Sequence, residues 1–186
     1  MADDRTIVTN VLARRAGSFE ALVQRHRGLV WHLLYRRTGN ADDAQDLMQE
    51  VFLRVYQKLG QFRFQSSLAT WIGRISYSIA ARHAEKKRLN IVDDERQVAD
   101  ASAHVDPQRT AQRDAMSAAL ENQLAMLNPV QRTIVSLYHQ DEMTVAEIAA
   151  IMDEPVGTVK SHLFRARKRM RKALESVITQ EDLYDE

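Results

Sequence analysis

The sequence contains no cysteine, which excludes disulfides, thiolate metal ligands and cysteine redox chemistry within this chain. Proline and glycine, the residues that most often interrupt helices, are also scarce, with three prolines and six glycines among 186 residues. No apolar run approaches the roughly 20 residues that a transmembrane helix needs, and the N-terminus lacks the charged-then-apolar order of a signal peptide. We therefore expect a cytoplasmic protein that is not itself a membrane protein.

The residues that are present favour an all-α fold. An apolar fraction of 45% and a charged fraction of 27% are typical of a globular protein rather than a disordered one. Apolar residues recur at helical spacing over residues 18–38, and Gly39 follows as a stop. Asn40 then offers an N-cap for a second helix that ends at Gly60, and a third helix ends near Arg88 in a basic cluster.

One stretch without helical periodicity divides the chain. From Asn90 to about Pro107 small and acidic residues dominate, which is the composition of a linker. The sequence therefore predicts two small helical domains joined by a flexible linker. Their predicted bounds are 1–89 for the first domain, 90–112 for the linker, 113–178 for the second domain and 179–186 for an acidic tail.

The second half carries the pattern of a helix-turn-helix. Asn128-Pro129 supplies an N-cap and a first-turn proline for a helix through Tyr138. Residues 144–147 have the Thr-x-x-Glu order of a capping box and begin a short helix. Asp153-Glu154-Pro155 ends that helix, and a basic helix follows to about Val177. Two helices joined by a tight turn, the second of them basic, are typical of a DNA-binding module.

The basic helix has an apolar face and a polar stripe, although the net charge of the chain is only +1. The apolar face is formed by Val156, Val159, Leu163, Ala166, Met170 and Leu174. The stripe, which can reach base edges and phosphates, holds Thr158, Ser161, His162 and Arg165. Flanking cations would neutralise phosphates without reading sequence: Arg167, Lys168, Arg169, Arg171 and Lys172. A merely solvated basic helix is the alternative interpretation.

Three motifs in order resemble the signatures of extracytoplasmic-function (ECF) sigma factors. They are DAQDLMQEVF at residues 43–52, TWIGRI at 70–75 and PVGTVKS at 155–161, the last followed by Arg165-Ala166-Arg167. The resemblance spans roughly Phe19 to Leu174 and thus both predicted domains. In that family the first domain, region two, binds core RNA polymerase and opens the minus-ten promoter element, and the second, region four, reads the minus-thirty-five element.

The resemblance implies an alternative sigma factor that directs promoter-specific transcription initiation and is not an enzyme. Its implied partners are core RNA polymerase, promoter DNA in duplex and melted form, and an anti-sigma factor, which in this family is often membrane-anchored. No cofactor or metal is implied. The acidic tail is open to two interpretations, a solubilising end or a regulatory segment.

Three sets of site residues follow from the resemblance. The polymerase-binding set lies on the polar face of the second helix and comprises Asp42, Asp46, Gln49, Glu50 and Arg54, for which a solvated face is the alternative. The minus-ten set comprises Phe62, Arg63, Phe64, Gln65, Ser66, Ser67, Arg74, Ser78 and Arg82, because aromatic rings and arginines suit base stacking and phosphate contact. The minus-thirty-five set comprises Thr158, Lys160, Ser161, His162, Phe164, Arg165, Lys168 and Arg169.

Four positions within or next to these sets carry a more specific expectation. Ser78 stands where many family members carry asparagine, and His162 stands where arginine is common, so the exact promoter sequence does not transfer. Trp71 is in phase with the apolar residues of its helix, which favours a core position. Phe164 lies off the apolar face and either meets a thymine methyl or packs on a neighbouring domain or partner.

Three other classes of protein compete with this interpretation. An enzyme is disfavoured because the six histidines lack the i, i+4 spacing of a metal pair and no Gly-rich phosphate loop or nucleophile elbow is present. A repressor or activator that binds DNA alone would explain the second half but not the acidic helix and aromatic loop of the first. A sensor or scaffold would need an input domain, which nothing in the chain resembles.

Overall fold

The computed structural model describes residues 3–93, residue 124 and residues 126–181, with side chains described to residue 89 in the first range and to 171 in the last. All regular structure in these ranges is helical, which confirms the prediction of an all-α fold. The elements are α1 (Asp4–Leu12), α2 (Ser18–Thr38), α3 (Ala41–Lys58), a 3-10 turn (Leu59–Gln61), α4 (Leu68–Asp93), α5 (Pro129–His139), α6 (Val145–Met152) and α7 (Val156–Glu181).

The predicted helix caps are confirmed. The Asn40 side chain accepts a hydrogen bond from the Asp43 amide at 2.9 Å, and Asn128 accepts one from the Gln131 amide at 2.8 Å. The capping box before α6 is complete, because Glu147 N donates to Thr144 Oγ1 at 3.2 Å and Thr144 N donates to Glu147 Oε2 at 3.0 Å. These local bonds satisfy amides that the first turn of a helix cannot pair, which is why sequence alone locates the starts.

Helix α1 was not predicted, since the sequence analysis assigned no element before Ser18. Asp3 caps this helix, and Val8 and Val11 are buried against the first domain. A helix of nine residues is marginal in water by itself, so α1 depends on this packing for its structure. The available signal was an aspartate followed by valines at helical spacing.

The first domain packs α1 to α4 around one apolar core. Its fully buried residues include Leu22, Val30, Leu34, Val51, Val55, Leu59, Leu68 and Ile72. The second domain packs α5 to α7 around another, with Ile134, Leu137, Ile148, Val159 and Leu163 inside. Each helix contributes an apolar stripe, and the removal of these stripes from water is the main driving force for this packing.

The two domains share an interface, and α2 contributes residues to the apolar clusters of both domains. Leu29 and Leu33 of α2 belong to the apolar cluster of the second domain, whereas Leu22 and Leu34 belong to that of the first. A polar contact borders this interface, with His32 Nδ1 at 3.1 Å from an Asp141 carboxylate oxygen. The relative placement of the domains, which the sequence did not indicate, is thus a packed one.

Several predicted bounds and burials differ from the structure. Helix α4 continues to Asp93 and α7 to Glu181, a few residues beyond the helix ends predicted near Arg88 and Val177. Val156 is 43% exposed rather than buried, because it begins α7 beyond the second-domain core. Most of the predicted linker lies outside the described residues, as does the side chain of Leu174.

Gly73 lies where α4 meets α6 across the domain interface. A Cβ built at Gly73 would stand 2.7 Å from Cδ1 and 2.9 Å from Cγ1 of Ile151. These distances are below normal van der Waals separation, so α4 approaches α6 closely only because this residue is glycine. The glycine of the TWIGRI segment therefore has a packing role that its sequence context did not indicate.

We expect Gly73→Ala to lower the free energy of unfolding by about 1–3 kcal/mol, because the methyl group overpacks the contact with Ile151. The matched control is Gly28→Ala in α2, where a Cβ would meet nothing within 4 Å. There, alanine should raise the stability by about 0.5–1 kcal/mol through helix propensity. Urea denaturation measures both, and stabilisation of similar size at both positions would contradict the close domain contact.

Candidate nucleic-acid interface

The helix-turn-helix places one face of α7 in solvent. Asp153 ends α6 in the left-handed conformation with φ of 56°, and α7 begins after Pro155. Val159, Leu163 and Ala166 are buried in the second domain, at 0%, 4% and 0% exposed. The rest of the helix surface is accessible to solvent. Its exposed side chains are Lys160, Ser161, Phe164, Arg165, Lys168 and Arg169, and its partly exposed ones are Thr158 and His162. The predicted minus-thirty-five residues thus share one accessible surface.

The polar groups on this face differ in how free they are. Ser161 Oγ donates to the carbonyl of Gly157 at 2.9 Å, which occupies its donor and leaves its acceptor sites. His162 Nδ1 is buried and has no hydrogen-bond partner within the described part of the chain. A contact from His162 to DNA would therefore use the other ring nitrogen. Phe164 is 69% exposed, so it packs on no neighbouring domain in this arrangement.

Arg167 is exposed and also contacts two rings of the second domain. Its guanidinium lies 4.8 Å from the Tyr138 ring centroid, and its Nη2 is 3.5 Å from His139 Nε2. Burial and the neighbouring Arg167 charge lower the pKa of His139, which favours a neutral ring that accepts from the guanidinium. Arg167 therefore has contacts within the second domain, and its predicted role as a phosphate-neutralising cation stays a prediction.

The first domain presents a second accessible stripe along α4. Arg74, Ser78 and Arg82 are all exposed and follow one another at i, i+4 spacing, so they lie on one face of the helix. The preceding loop exposes Arg63, Phe64, Gln65 and Ser66. The loop and the α4 stripe thus both expose cationic, aromatic or polar groups.

Phe62 and Ser67, two residues of the predicted minus-ten set, are less open than the rest of this surface. Phe62 is 6% exposed, with its ring 5.4 Å from that of Trp71 and 4.8 Å from that of Phe64, so it supports the loop from the core. The assignment of Phe62 as a DNA-contacting residue is corrected on this ground. Trp71 is partly buried against the first-domain core, in agreement with the prediction. Phe64 remains 40% exposed.

Ser67 faces the second domain. Its Oγ is 2.8 Å from Thr70 Oγ1 and 3.5 Å from Glu147 Oε1 on α6. The pKa of Glu147 is lowered, mainly by the hydrogen bond from the Thr144 amide and further by side-chain hydrogen bonds from Thr144, Ser67 and Thr70. Together these bonds outweigh the opposing effect of burial. Glu147 is therefore ionised at neutral pH, and it links the capping box of α6 to the start of α4. Ser67 is thus partly exposed and contacts the second domain in this arrangement.

The polar face of α3 holds the predicted polymerase-binding residues. Asp42, Asp46, Gln49 and Glu50 are exposed and Arg54 is partly exposed. Glu50 Oε1 also lies 3.3 Å from Arg54 Nη2 and 3.5 Å from Arg82 Nη2, so this carboxylate joins α3 to the α4 stripe. Asp46 is a simpler acidic group, with no ion pair to any described residue.

Leu53 was missed by the sequence analysis. It is 58% exposed and lies one turn beyond Gln49 and Glu50 on the polar face of α3. The signal was available, because Leu53 falls out of phase with the buried stripe that includes Val51 and Val55. An exposed leucine bordered by acids suits the centre of a protein-binding surface.

No group of side chains suited to holding a metal ion occurs among the described residues. Within that same part of the chain, no helix is both long and apolar enough to cross a membrane.

Comparisons with known proteins identify both domains. The family model of sigma-70 region 2 matches residues 22–89, and that of sigma-70 region 4 matches residues 117–170. The RNA polymerase sigma-H factor of Pseudomonas aeruginosa is 30% identical over 184 residues, covering 94% of this chain and 95% of that protein. The ECF sigma factor SigW of Bacillus subtilis is 28% identical over 169 residues, covering 86% and 90% of the two chains. This chain belongs to the ECF sigma factor family.

The fold comparison agrees with this assignment. Sigma factor RpoE of Bartonella quintana, solved in complex with the anti-sigma factor NepR, superposes with a TM-score of 0.72 at 22% identity and covers 86% of this chain and 98% of that one. In the present chain the region 2 match ends within α4. The region 4 match contains α5, α6 and α7 up to residue 170. The family consists of transcription regulators rather than enzymes.

Proposed function

We propose that this sigma factor binds core RNA polymerase through α3 and recognises promoter DNA through α4 and α7. The observation that carries the proposal is the accessible stripe on α7, where an arginine and hydroxyls stand beside cations on the face opposite the buried core. Its partners in this role are core polymerase, duplex promoter DNA and the melted strand, and it acts in the cytoplasm without catalytic activity of its own.

The α7 stripe reads the minus-thirty-five element. A helix that follows a tight turn fits the major groove, and Arg165 and the groups near it can reach base edges there. Lys168 and Arg169, both exposed, contact phosphates and set the register of the helix. The exposed Phe164 ring is placed to meet a thymine methyl group.

The loop before α4 and the α4 stripe capture the minus-ten element. The exposed Phe64 ring offers a stacking surface for an unpaired base, and Arg63 and Arg74 supply charge for the strand. Ser78 and Arg82 extend the polar surface along the same face of α4. Phe62 supports this loop from below through its contacts with Phe64 and Trp71.

The polar face of α3 docks on polymerase, with Asp42, Asp46 and Gln49 along it and the exposed Leu53 one turn beyond Gln49. An exposed apolar side chain beside charged and polar groups is typical of protein interfaces. Glu50 and Arg54, already paired with each other, adjust this surface rather than forming its main contact.

We also propose that an anti-sigma factor holds this protein inactive, as a membrane-anchored or a free protein. The support is that the similar RpoE of Bartonella quintana was solved bound to one. The packed domains present a further requirement, because Ser67, the residue before α4, and Gly73 of α4 lie against α6 in this arrangement. The domains must therefore separate before the whole minus-ten surface is available.

Run-off transcription from a promoter library tests the proposed function. The expected result is promoter-specific transcript from core polymerase plus this protein, and none from either alone. Electrophoretic shifts with the protein alone distinguish a repressor or activator, which binds its site without polymerase. If the reconstituted enzyme uses no promoter and gel filtration shows no complex with core polymerase, the sigma-factor role fails.

A further inference from the structure

Helix α1 contacts the segment that connects the 3-10 turn with α4. The Asp4 side chain accepts a hydrogen bond from the Leu68 amide through Oδ2 at 2.7 Å. Leu68 is the first residue of α4, so a carboxylate from elsewhere in the chain satisfies an amide of the first helical turn. The negative charge also stands at the positive end of the helix dipole.

A second contact reaches the loop itself. The guanidinium carbon of Arg5 lies 4.8 Å from the centroid of the Phe64 ring, which is cation–π distance. Phe64 has φ of 57°, a left-handed conformation that a bulky residue adopts only when its surroundings impose it. The Arg5 guanidinium and the buried Phe62 ring are those surroundings.

The docking of α1 and the shape of the loop depend on each other. Helix α1 is too short to persist alone, and it is held by Val8 and Val11 in the core that also contains Leu59, Phe62 and Leu68. Arg25 of α2 approaches Asp4 at 3.9 Å and keeps the carboxylate near α4. Loss of the α1 contacts would therefore release the Phe64 ring and the first turn of α4 together.

We propose that Asp4 and Arg5 are positioning residues for minus-ten recognition, which hold Phe64 and the start of α4 in the form that captures an unpaired base. This inference rests on the proposed function of the loop. The two residues act through Phe64 and Leu68 and need no contact with DNA. The N-terminal helix thereby contributes to promoter opening rather than to the fold alone.

The experiment measures three affinities. One is that of this protein for core polymerase, and the other two are those of the holoenzyme for a minus-thirty-five duplex and for a single-stranded minus-ten oligonucleotide. Asp4→Ala and Arg5→Ala are expected to reduce single-strand capture on the order of fivefold, the size of a lost cap or cation–π contact. The other two bindings should stay unchanged. The preference among bases at the captured position should also flatten, which loss of stability alone would not cause.

Conservative variants and controls separate positioning from folding. Asp4→Asn keeps an acceptor for the Leu68 amide and Arg5→Lys keeps a cation over the ring, so both should retain most of the capture. Thr9→Ala and Arg15→Ala alter exposed side chains of α1 and the turn after it without touching the loop, and both should behave as the parent protein. Arg15→Ala also removes the same charge as Arg5→Ala.

The outcomes distinguish this inference from the function on which it rests. If Phe64→Ala loses capture while Asp4→Ala and Arg5→Ala keep it with unchanged base preference, the positioning role is wrong and the loop assignment stands. Equal losses of all three bindings in the α1 variants would show a structural role only and would also overturn the inference. If Phe64→Ala and Arg63→Ala both capture the strand normally, the minus-ten assignment fails and the inference with it.

Discussion

Leu53→Asp is expected to weaken the complex with core polymerase by about 2 kcal/mol or more, a loss of roughly 30-fold in affinity. Leu53 is 58% exposed on α3 and lies outside the apolar core cluster of the first domain, but it would be desolvated in a docked complex. A carboxylate in that interface would be buried without a partner. Fluorescence titration of labelled protein with core polymerase measures the change.

The matched control is Leu89→Asp, which places the same change on a leucine that is 57% exposed on α4. It should leave polymerase binding unchanged. Circular dichroism should show native helicity for both variants, since neither side chain is buried. Equal weakening by the two variants would contradict the assignment of this face of α3 to polymerase.

Charge reversal refines the same surface. A cation in place of Glu50 would lie beside Arg54 and Arg82, so any effect of reversal there would mix lost docking with local repulsion. Asp46 is the cleaner position for this change because it has no ion pair to any described residue. Asp46→Arg should weaken polymerase binding most at low salt, since exposed charges are screened as salt rises.

Arg165→Ala is expected to cost about 1–3 kcal/mol in binding a matched minus-thirty-five duplex and to relax selectivity. Arg165 is exposed on the α7 stripe one turn beyond Ser161, where a major-groove helix presents side chains to base edges. Lys168→Ala should weaken binding to every duplex similarly, because a phosphate contact carries no sequence information. Filter binding by the holoenzyme to matched and scrambled duplexes measures both effects.

Salt dependence separates the two roles further. Loss of a phosphate contact should reduce the slope of log affinity against log salt by about 1, because fewer counterions are released on binding. Lys168→Ala should show this reduced slope, whereas a pure base contact would leave it unchanged. If both variants lose equal affinity on matched and scrambled duplexes, Arg165 contacts only the backbone and the reading role is wrong.

Local chemistry made much of this protein legible from its sequence. The N-caps at Asn40, Asn128 and Thr144 are side-chain bonds to amides within three residues, so their signals lie in short segments. The periodicity of Val159, Leu163 and Ala166 indicated the buried face of α7 and thereby the stripe opposite it. The same reasoning overextended to Val156, because periodicity does not show where the neighbouring core ends.

The roles of individual aromatic and small residues required contacts between distant segments. Phe62 and Phe64 are separated by one residue and look alike in sequence, yet one is buried on Trp71 and the other is exposed. Gly73 looked like part of a motif, whereas its packing role comes from Ile151 on a different domain. Side-chain type predicts a chemical capability, and the surrounding elements decide whether water or DNA can reach it.

The sequence by itself determined the helical class, the division into two matched regions, the helix-turn-helix and the family, because these depend on periodicity, caps and ordered motifs within short segments. Only the tertiary structure decided that α2 joins both apolar clusters, that Leu53 stands exposed on α3, and that α1 contacts the loop before α4 through Asp4 and Arg5. Such contacts link residues far apart in the chain, and their free energy comes from burial and geometry that no local pattern encodes.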